Sequence, residues 1–156
     1  MGVTDFVNSR LVPTLRSGGL TADDIVSGRK VQEIVYLLER SGDNLGFRFK
    51  WELFGPFSAE LSDEIRGLDR VDVESANEQV QHANGVSDRI EQLMAVPEPL
   101  ELSDDDWLRL LVCVDFVETR APGATANGGT PPYIRLNFGE DAIRVAREQT
   151  RELLPN

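Results

Sequence analysis

The apolar residues of this chain recur mainly at intervals of three and four, the spacing of one buried face of an α-helix. The clearest case begins at Arg29 and is expected to end near Ser41 and Gly42. Similar intervals predict a short helix from Thr4 that Pro13 kinks or stops early, a helical turn capped by Thr21, and helices following Ser58, Gly85, Ser103 and Gly139. A mainly helical fold follows from this pattern.

One segment has a different period. Four apolar residues alternate there with three charged ones, namely Phe47, Phe49, Trp51 and Leu53 with Arg48, Lys50 and Glu52. Strict alternation predicts a strand whose aromatic side chains lie on one face and whose charges lie on the other. We expect Gly55-Pro56 to end that strand in a turn, because proline donates no hydrogen bond to a strand ladder.

The predicted elements define a fold class. We expect a mainly α (α+β) protein, a compact helical domain with a short two- or three-stranded β element, and a winged-helix-like arrangement is one form that this could take. The length of 156 residues suits one globular domain over 1–156. Small turn-forming residues predict a flexible surface loop at 121–132, and the polar run at 69–84 does not select between helix, strand pair and connector.

The charge is strongly uneven along the chain. The net charge is −11, and positions 51–118 hold seventeen acidic and four basic residues, whereas positions 29–50 hold five basic and three acidic ones. Such acidity disfavours nucleic-acid and anionic-membrane partners and favours a basic protein partner. The N-terminal segment lacks the features of a signal peptide, no apolar run is long enough to cross a bilayer, and Cys113 stands alone in an apolar run, so we expect a cytoplasmic protein.

No motif indicates a catalytic, cofactor or metal site. The glycines of the 121–132 segment lack the flanking strand and helix start that a phosphate-binding loop needs. His82 has no Cys or His at ligand spacing, and Asp104 to Asp106 are explained by a helix start. We therefore predict a protein without cofactors and without enzymatic activity, with an unrecognised hydrolase as the weakest alternative.

One set of basic and aromatic residues could bind a partner. It comprises Arg29, Lys30, Arg48, Lys50, Trp51 and Phe57. A structural interpretation places the aromatic rings in the core and the cations on the wet face of the same elements. A functional interpretation makes the set a docking face for protein or nucleic acid, and the two interpretations are compatible.

Part of this segment resembles a known family. Lys30-Val31-Gln32-Glu33-Ile34-Val35-Tyr36-Leu37-Leu38 and Phe54-Gly55-Pro56-Phe57-Ser58 with Leu61 resemble the YwgA-like group of uncharacterised prokaryotic proteins, which is related to the Panacea (SocA-like) antitoxin domain. Glu33 stands where that pattern has a second lysine. The resemblance implies a mostly helical domain that acts without a cofactor as an antitoxin, adaptor or accessory subunit in a toxin-antitoxin or defence system.

Three functions are consistent with these expectations. The first is a noncatalytic regulatory module that binds a protein partner through its acidic middle or through the basic and aromatic set. The second is a winged-helix-like transcriptional regulator in which DNA phosphates are contacted by Arg29, Lys30, Arg48 and Lys50. The resemblance implies this alternative, because the family is linked to helix-turn-helix regulators. The third is the hydrolase. Nothing in the sequence indicates an oligomeric state.

Overall fold

The computed structural model describes residues 11–17, 19–28, 30–43, 45–52, 55–75, 86–98, 100–120, 134 and 137–155. These ranges contain eight helices and one antiparallel hairpin, which confirms the mainly helical fold with a short β element. In chain order they are α1 (Val12–Ser17), α2 (Ala22–Ser27), α3 (Val31–Ser41), β1 (Lys50–Glu52), β2 (Gly55–Phe57), α4 (Ala59–Arg66), α5 (Arg70–Glu74), α6 (Val86–Met94), α7 (Asp104–Arg120) and α8 (Glu140–Leu153). A winged-helix arrangement is not shown by these elements.

Helix α7 forms the centre of the core. Every residue from Leu110 to Val117 is buried, because α3, α6, α8 and β2 all pack against this helix. Its start is the predicted one, since the Ser103 hydroxyl oxygen accepts the Asp106 amide at 3.2 Å. Trp107 is fully buried and donates its indole N–H to the Leu93 carbonyl at 2.8 Å, which joins α7 to α6.

Two further predicted caps are confirmed. Thr21 and Asp24 form a reciprocal capping box at the start of α2, with both hydrogen bonds at 3.1 Å. Ser58 precedes α4, and its hydroxyl oxygen accepts the Leu61 amide at 3.3 Å. These two helices therefore begin where a nearby side chain satisfies one of the first free amides.

The hairpin corrects the prediction for the strand. Residues 45–49 are not in a strand, and Gly55-Pro56 does not end β1 in a turn but belongs to β2. The register pairs Lys50 with Phe57, Trp51 with Pro56 and Glu52 with Gly55. The ladder stops after Phe57 because Ser58 begins a helix, and proline is accommodated because each strand of a two-stranded sheet has a free edge.

Further expectations concerned Pro13, residues 69–84, residues 121–132 and segments that cross a membrane. Helix α1 continues past Pro13 to Ser17, so an early stop at Pro13 is wrong. Within 69–84 a short helix, α5, begins after an Asp69 cap. The predicted loop at 121–132, together with the positions before Leu11, lies outside the described residues. None of the helices that the structure describes is long and apolar enough to cross a bilayer.

Candidate functional site

A groove of about 600 Å³ opens where the first turn of α3, the hairpin and the first turns of α7 meet. Pro56 and Phe57 give it an apolar wall. Five charged side chains also line it, namely Lys30, Glu33, Glu52, Asp105 and Arg109. It combines an apolar surface with charges of both signs, which is the usual composition of a binding site.

Two ion pairs join α3 to α7 along the groove. Lys30 Nζ lies 3.5 Å from Asp105 Oδ1, and Arg109 Nε lies 3.8 Å from Glu33 Oε1. Burial raises the pKa of Glu33, the local backbone and Arg109 oppose that rise, and Asp105 adds to it. The cations that face the groove are therefore already compensated by neighbouring carboxylates.

The hairpin is held in place against both helices. The Gln32 side chain donates to the Ser58 carbonyl at 3.0 Å and accepts the Ser58 amide at 2.9 Å. On the α7 side, Gly55 has φ +128° and an added Cβ would lie 2.7 Å from Cys113 Sγ. Only glycine allows both this conformation and this close approach. The apolar wall of the groove is thus fixed before any partner binds.

A second depression of about 290 Å³ adjoins the first. Val26 and Ile65 line it, and it shares Gly28, Gln32 and Phe57 with its neighbour. Phe57 is 37% exposed and Val26 36% exposed. We call the two depressions together the Phe57 groove, because this side chain belongs to both.

The structure brings part of the predicted basic and aromatic set together. Lys30 and Phe57 line the groove, and exposed Lys50 lies directly opposite Phe57 in the hairpin register. Arg48 is exposed but does not line the groove, whereas half-buried Trp51 packs toward the core with its ring centroid 6.0 Å from that of Phe116. Arg29 lies outside the described residues.

Sequence reasoning missed the polar half of the groove. Gln32, Glu33, Glu52, Asp105 and Arg109 were not among the predicted partner-binding residues. Residues of α3 and α7 meet across more than seventy positions of the sequence, so no local motif could have indicated their pairing. The acidic start of α7 was interpreted only as a helix cap.

Cys113, which lies behind Gly55 and does not line the groove, has the chemistry of a packed core residue. Cys113 is fully buried, and desolvation raises the pKa of its thiol to about 12, so it is protonated at neutral pH. Among residues with described positions, no group of three or more His, Cys, Asp or Glu side chains could hold a metal ion. What the groove offers is apolar contact and a charged rim.

A second polar cluster lies further along the same two helices. The Asp115 carboxylate is 3% exposed and accepts the Tyr36 hydroxyl at 2.6 Å. It also accepts Arg40 Nε at 2.7 Å and Arg40 Nη2 at 3.1 Å. Desolvation and the adjacent Asp115 raise the pKa of Tyr36, while the hydrogen bonds to Asp115 raise that of Arg40. This cluster is a buried, well-bonded contact between α3 and α7, although Arg40 and Asp115 also line a depression of about 420 Å³ beside α8.

Comparison with known proteins gives no match to any family model, curated protein or solved structure. The resemblance to the YwgA-like group accordingly stays a prediction, and the function has to be argued from the chain itself.

Proposed function

We propose that this chain is a noncatalytic protein-interaction module that binds a partner protein at the Phe57 groove and regulates it. One observation carries the proposal. The described residues include three exposed large apolar side chains, and two of them, Val26 and Phe57, line this groove. Exposed apolar side chains that share a concave surface are typical of protein docking sites.

The rigidity of the groove supports the proposal. Phe57 belongs to a hairpin that Gln32 bonds to α3 and that Gly55 allows to lie against α7. A surface that is ordered before binding loses little conformational entropy when a partner arrives. The antitoxin- or adaptor-like nature of the regulation rests on the family resemblance alone.

The DNA-binding alternative receives less support. Of the predicted phosphate contacts, Lys30 is paired with Asp105, so it is partly neutralised before any phosphate approaches. Arg109, a further cation of the groove, lies beside Glu33. Phosphate binding gains its free energy from releasing counterions around uncompensated cations, and these two sites offer little of that gain.

Site-specific crosslinking tests the proposal. A photoreactive residue placed at Phe57, with the chain expressed in its native host, should crosslink one protein that copurifies in stoichiometric amount. The same residue at Glu148, exposed on α8, serves as the control and should not capture it. The activity of the captured protein should change on addition of the unmodified chain. Equal capture at the two positions, or none at either, contradicts the proposal.

Substitution provides the second arm of this test. Phe57→Asp should abolish copurification and regulation, and Val26→Asp should weaken both by at least about tenfold. Both side chains are over a third exposed, so thermal unfolding should stay close to that of the unmodified chain. Titration with mixed duplex DNA at low salt should give no measurable affinity, whereas strong salt-dependent binding would favour the DNA-binding alternative.

A further inference from the structure

We infer that the Phe57 groove takes a cationic segment of its partner, one that places an apolar side chain against Phe57 and positive charges around it. This inference rests on the proposed function and names the chemical class of the partner. The groove combines an apolar centre with an excess of negative charge around it, which suits a cationic segment.

The helices that border the groove are acidic. α2 and α4 supply Val26 and Ile65 to its wall, and α5 packs against α2. Together these three helices carry seven carboxylates and two arginines, namely Asp23, Asp24, Glu60, Asp63, Glu64, Asp72 and Glu74 with Arg66 and Arg70. Both arginines are already paired, Arg66 with Asp63 at 3.7 Å and Arg70 with Glu74 at 2.9 Å. A partner that approaches this side meets a negative field.

Negative charge is also in excess inside the groove. Lys30 is paired with Asp105 and Arg109 with Glu33. Glu52 is exposed, lines the groove and forms no ion pair with any described residue. Exposed Lys50 lies opposite Phe57 in the hairpin register but does not line the groove, so a cationic side chain would lie on the groove side of Phe57, where Glu52 is. An acidic segment there would meet repulsion from Glu52 and from the acidic helices at the border.

The two components of the surface act over different distances. Carboxylates attract a cationic segment over roughly 8 to 10 Å at ordinary ionic strength, which speeds association and selects the sign of the partner. Contact with Phe57 and Val26 is short-ranged and independent of salt. Affinity should therefore fall as salt is added and yet not vanish.

A random-peptide display library is the probe for this inference. Selection on the full chain, with counter-selection on its Phe57→Asp variant, should enrich peptides that carry net positive charge and an apolar residue. Neutral or acidic peptides that still depend on Phe57 would overturn the cationic class while leaving groove docking intact. No enrichment over the Phe57→Asp variant would overturn both the inference and the proposed docking site.

Charge reversal supplies the matched comparison. Glu52→Lys should weaken binding of the enriched peptides by about fivefold or more at low salt. Glu148→Lys makes the same change in net charge on α8, at a residue whose side chain is likewise exposed, and should leave affinity within about twofold. Equal losses in the two variants would mean that the total charge matters and the groove does not, which contradicts the inference.

Discussion

The two ends of the contact between α3 and α7 are built differently. Lys30 and Glu33 meet Asp105 and Arg109 at the groove, and further along the same helices Tyr36 and Arg40 meet Asp115. Sequence numbers rise together on both sides, so the helices lie side by side and run in the same direction. One pair of helices thus makes a loosely paired charged rim at its start and a buried, tightly bonded polar cluster further along.

The difference lies in burial and in bond geometry. Asp115 is 3% exposed and accepts hydrogen bonds of 2.6 to 3.1 Å, whereas the Asp105 side chain is 40% exposed and its pair with Lys30 measures 3.5 Å. Buried charges that lose a partner are costly, while exposed pairs contribute at most about 1 kcal/mol. The buried cluster therefore contributes more to the packing of the two helices than either ion pair at the groove does.

Removing the Asp115 carboxylate, the shared acceptor of the buried cluster, should have the largest effect on the free energy of unfolding. Asp115→Ala leaves the Tyr36 hydroxyl and the Arg40 guanidinium without their buried partner, so we expect a loss of about 3 to 5 kcal/mol in the free energy of unfolding. Urea denaturation measures this change in the free energy of unfolding. Glu148→Ala, which breaks an exposed pair with Arg144 in the interior of α8, is the control and should cost less than about 0.5 kcal/mol. Similar losses in the two variants would mean that the buried cluster stabilises the fold no more than an exposed ion pair does.

Crowding the hairpin against α7 should have the next largest effect. Gly55→Ala places a Cβ 2.7 Å from Cys113 Sγ at φ +128°, and we expect a loss of about 2 to 4 kcal/mol. Gly67→Ala, where the nearest atom lies at 3.8 Å and φ is −85°, should change stability by less than about 1 kcal/mol.

A double-mutant cycle separates the clash at Gly55 from backbone strain. Cys113→Ala removes the sulfur, so combining it with Gly55→Ala should cost less than the sum of the two single losses. Strictly additive losses would mean that the backbone conformation at Gly55 causes the whole effect. Contact with Cys113 would then not determine where the hairpin lies.

Local sequence was sufficient to predict the described helices other than α5, together with several of their ends. Thr21, Ser58 and Ser103 cap the helices that they were expected to cap, because a cap acts on amides within three residues of itself. The same holds for the burial of Cys113 inside α7, which its apolar neighbours indicate.

Contacts between distant segments were beyond the reach of the sequence pattern. Gly55-Pro56 resembles a turn locally, yet its role follows from the chain that pairs with it and from Cys113 beneath it. Asp115 interrupts an apolar run and is explained only by Tyr36 and Arg40, 79 and 75 positions away. Half of the candidate site depends on such contacts, and only Lys30 and Phe57 were predicted among the residues that line it.

Loosening the hairpin from α3 should have an intermediate effect that links stability to binding. Gln32→Ala removes the acceptor of the buried Ser58 amide, and we expect a loss of about 1 to 2 kcal/mol together with faster hydrogen exchange at that amide. Partner affinity should fall as well, since Phe57 is no longer held in place. Gln92→Ala, an exposed change on α6, should alter none of the three measurements. Unchanged exchange at Ser58 in the Gln32 variant would show that the hairpin is held by other contacts.

The smallest expected effect is a pH dependence at the charged rim. Glu33 is 18% exposed, faces Arg109 and Asp105, and has a pKa raised by burial above its ordinary value of 4.5. The folded chain therefore holds this proton more tightly than the unfolded chain, and the associated stability is present below pH 4.5 and lost as pH rises through the folded pKa.

Glu33→Gln removes that titration, so the unmodified chain should lose stability relative to the variant as pH rises from below 4.5 through the folded pKa. Urea denaturation across this range measures the difference, with Glu148→Gln on the surface of α8 as the control for losing one carboxylate. A trend of the opposite sign would mean that Arg109 outweighs burial in setting the pKa of Glu33. The ion pair with Arg109 would then be strong enough to withhold Glu33 from a cationic partner, which leaves Glu52 as the contact for that partner.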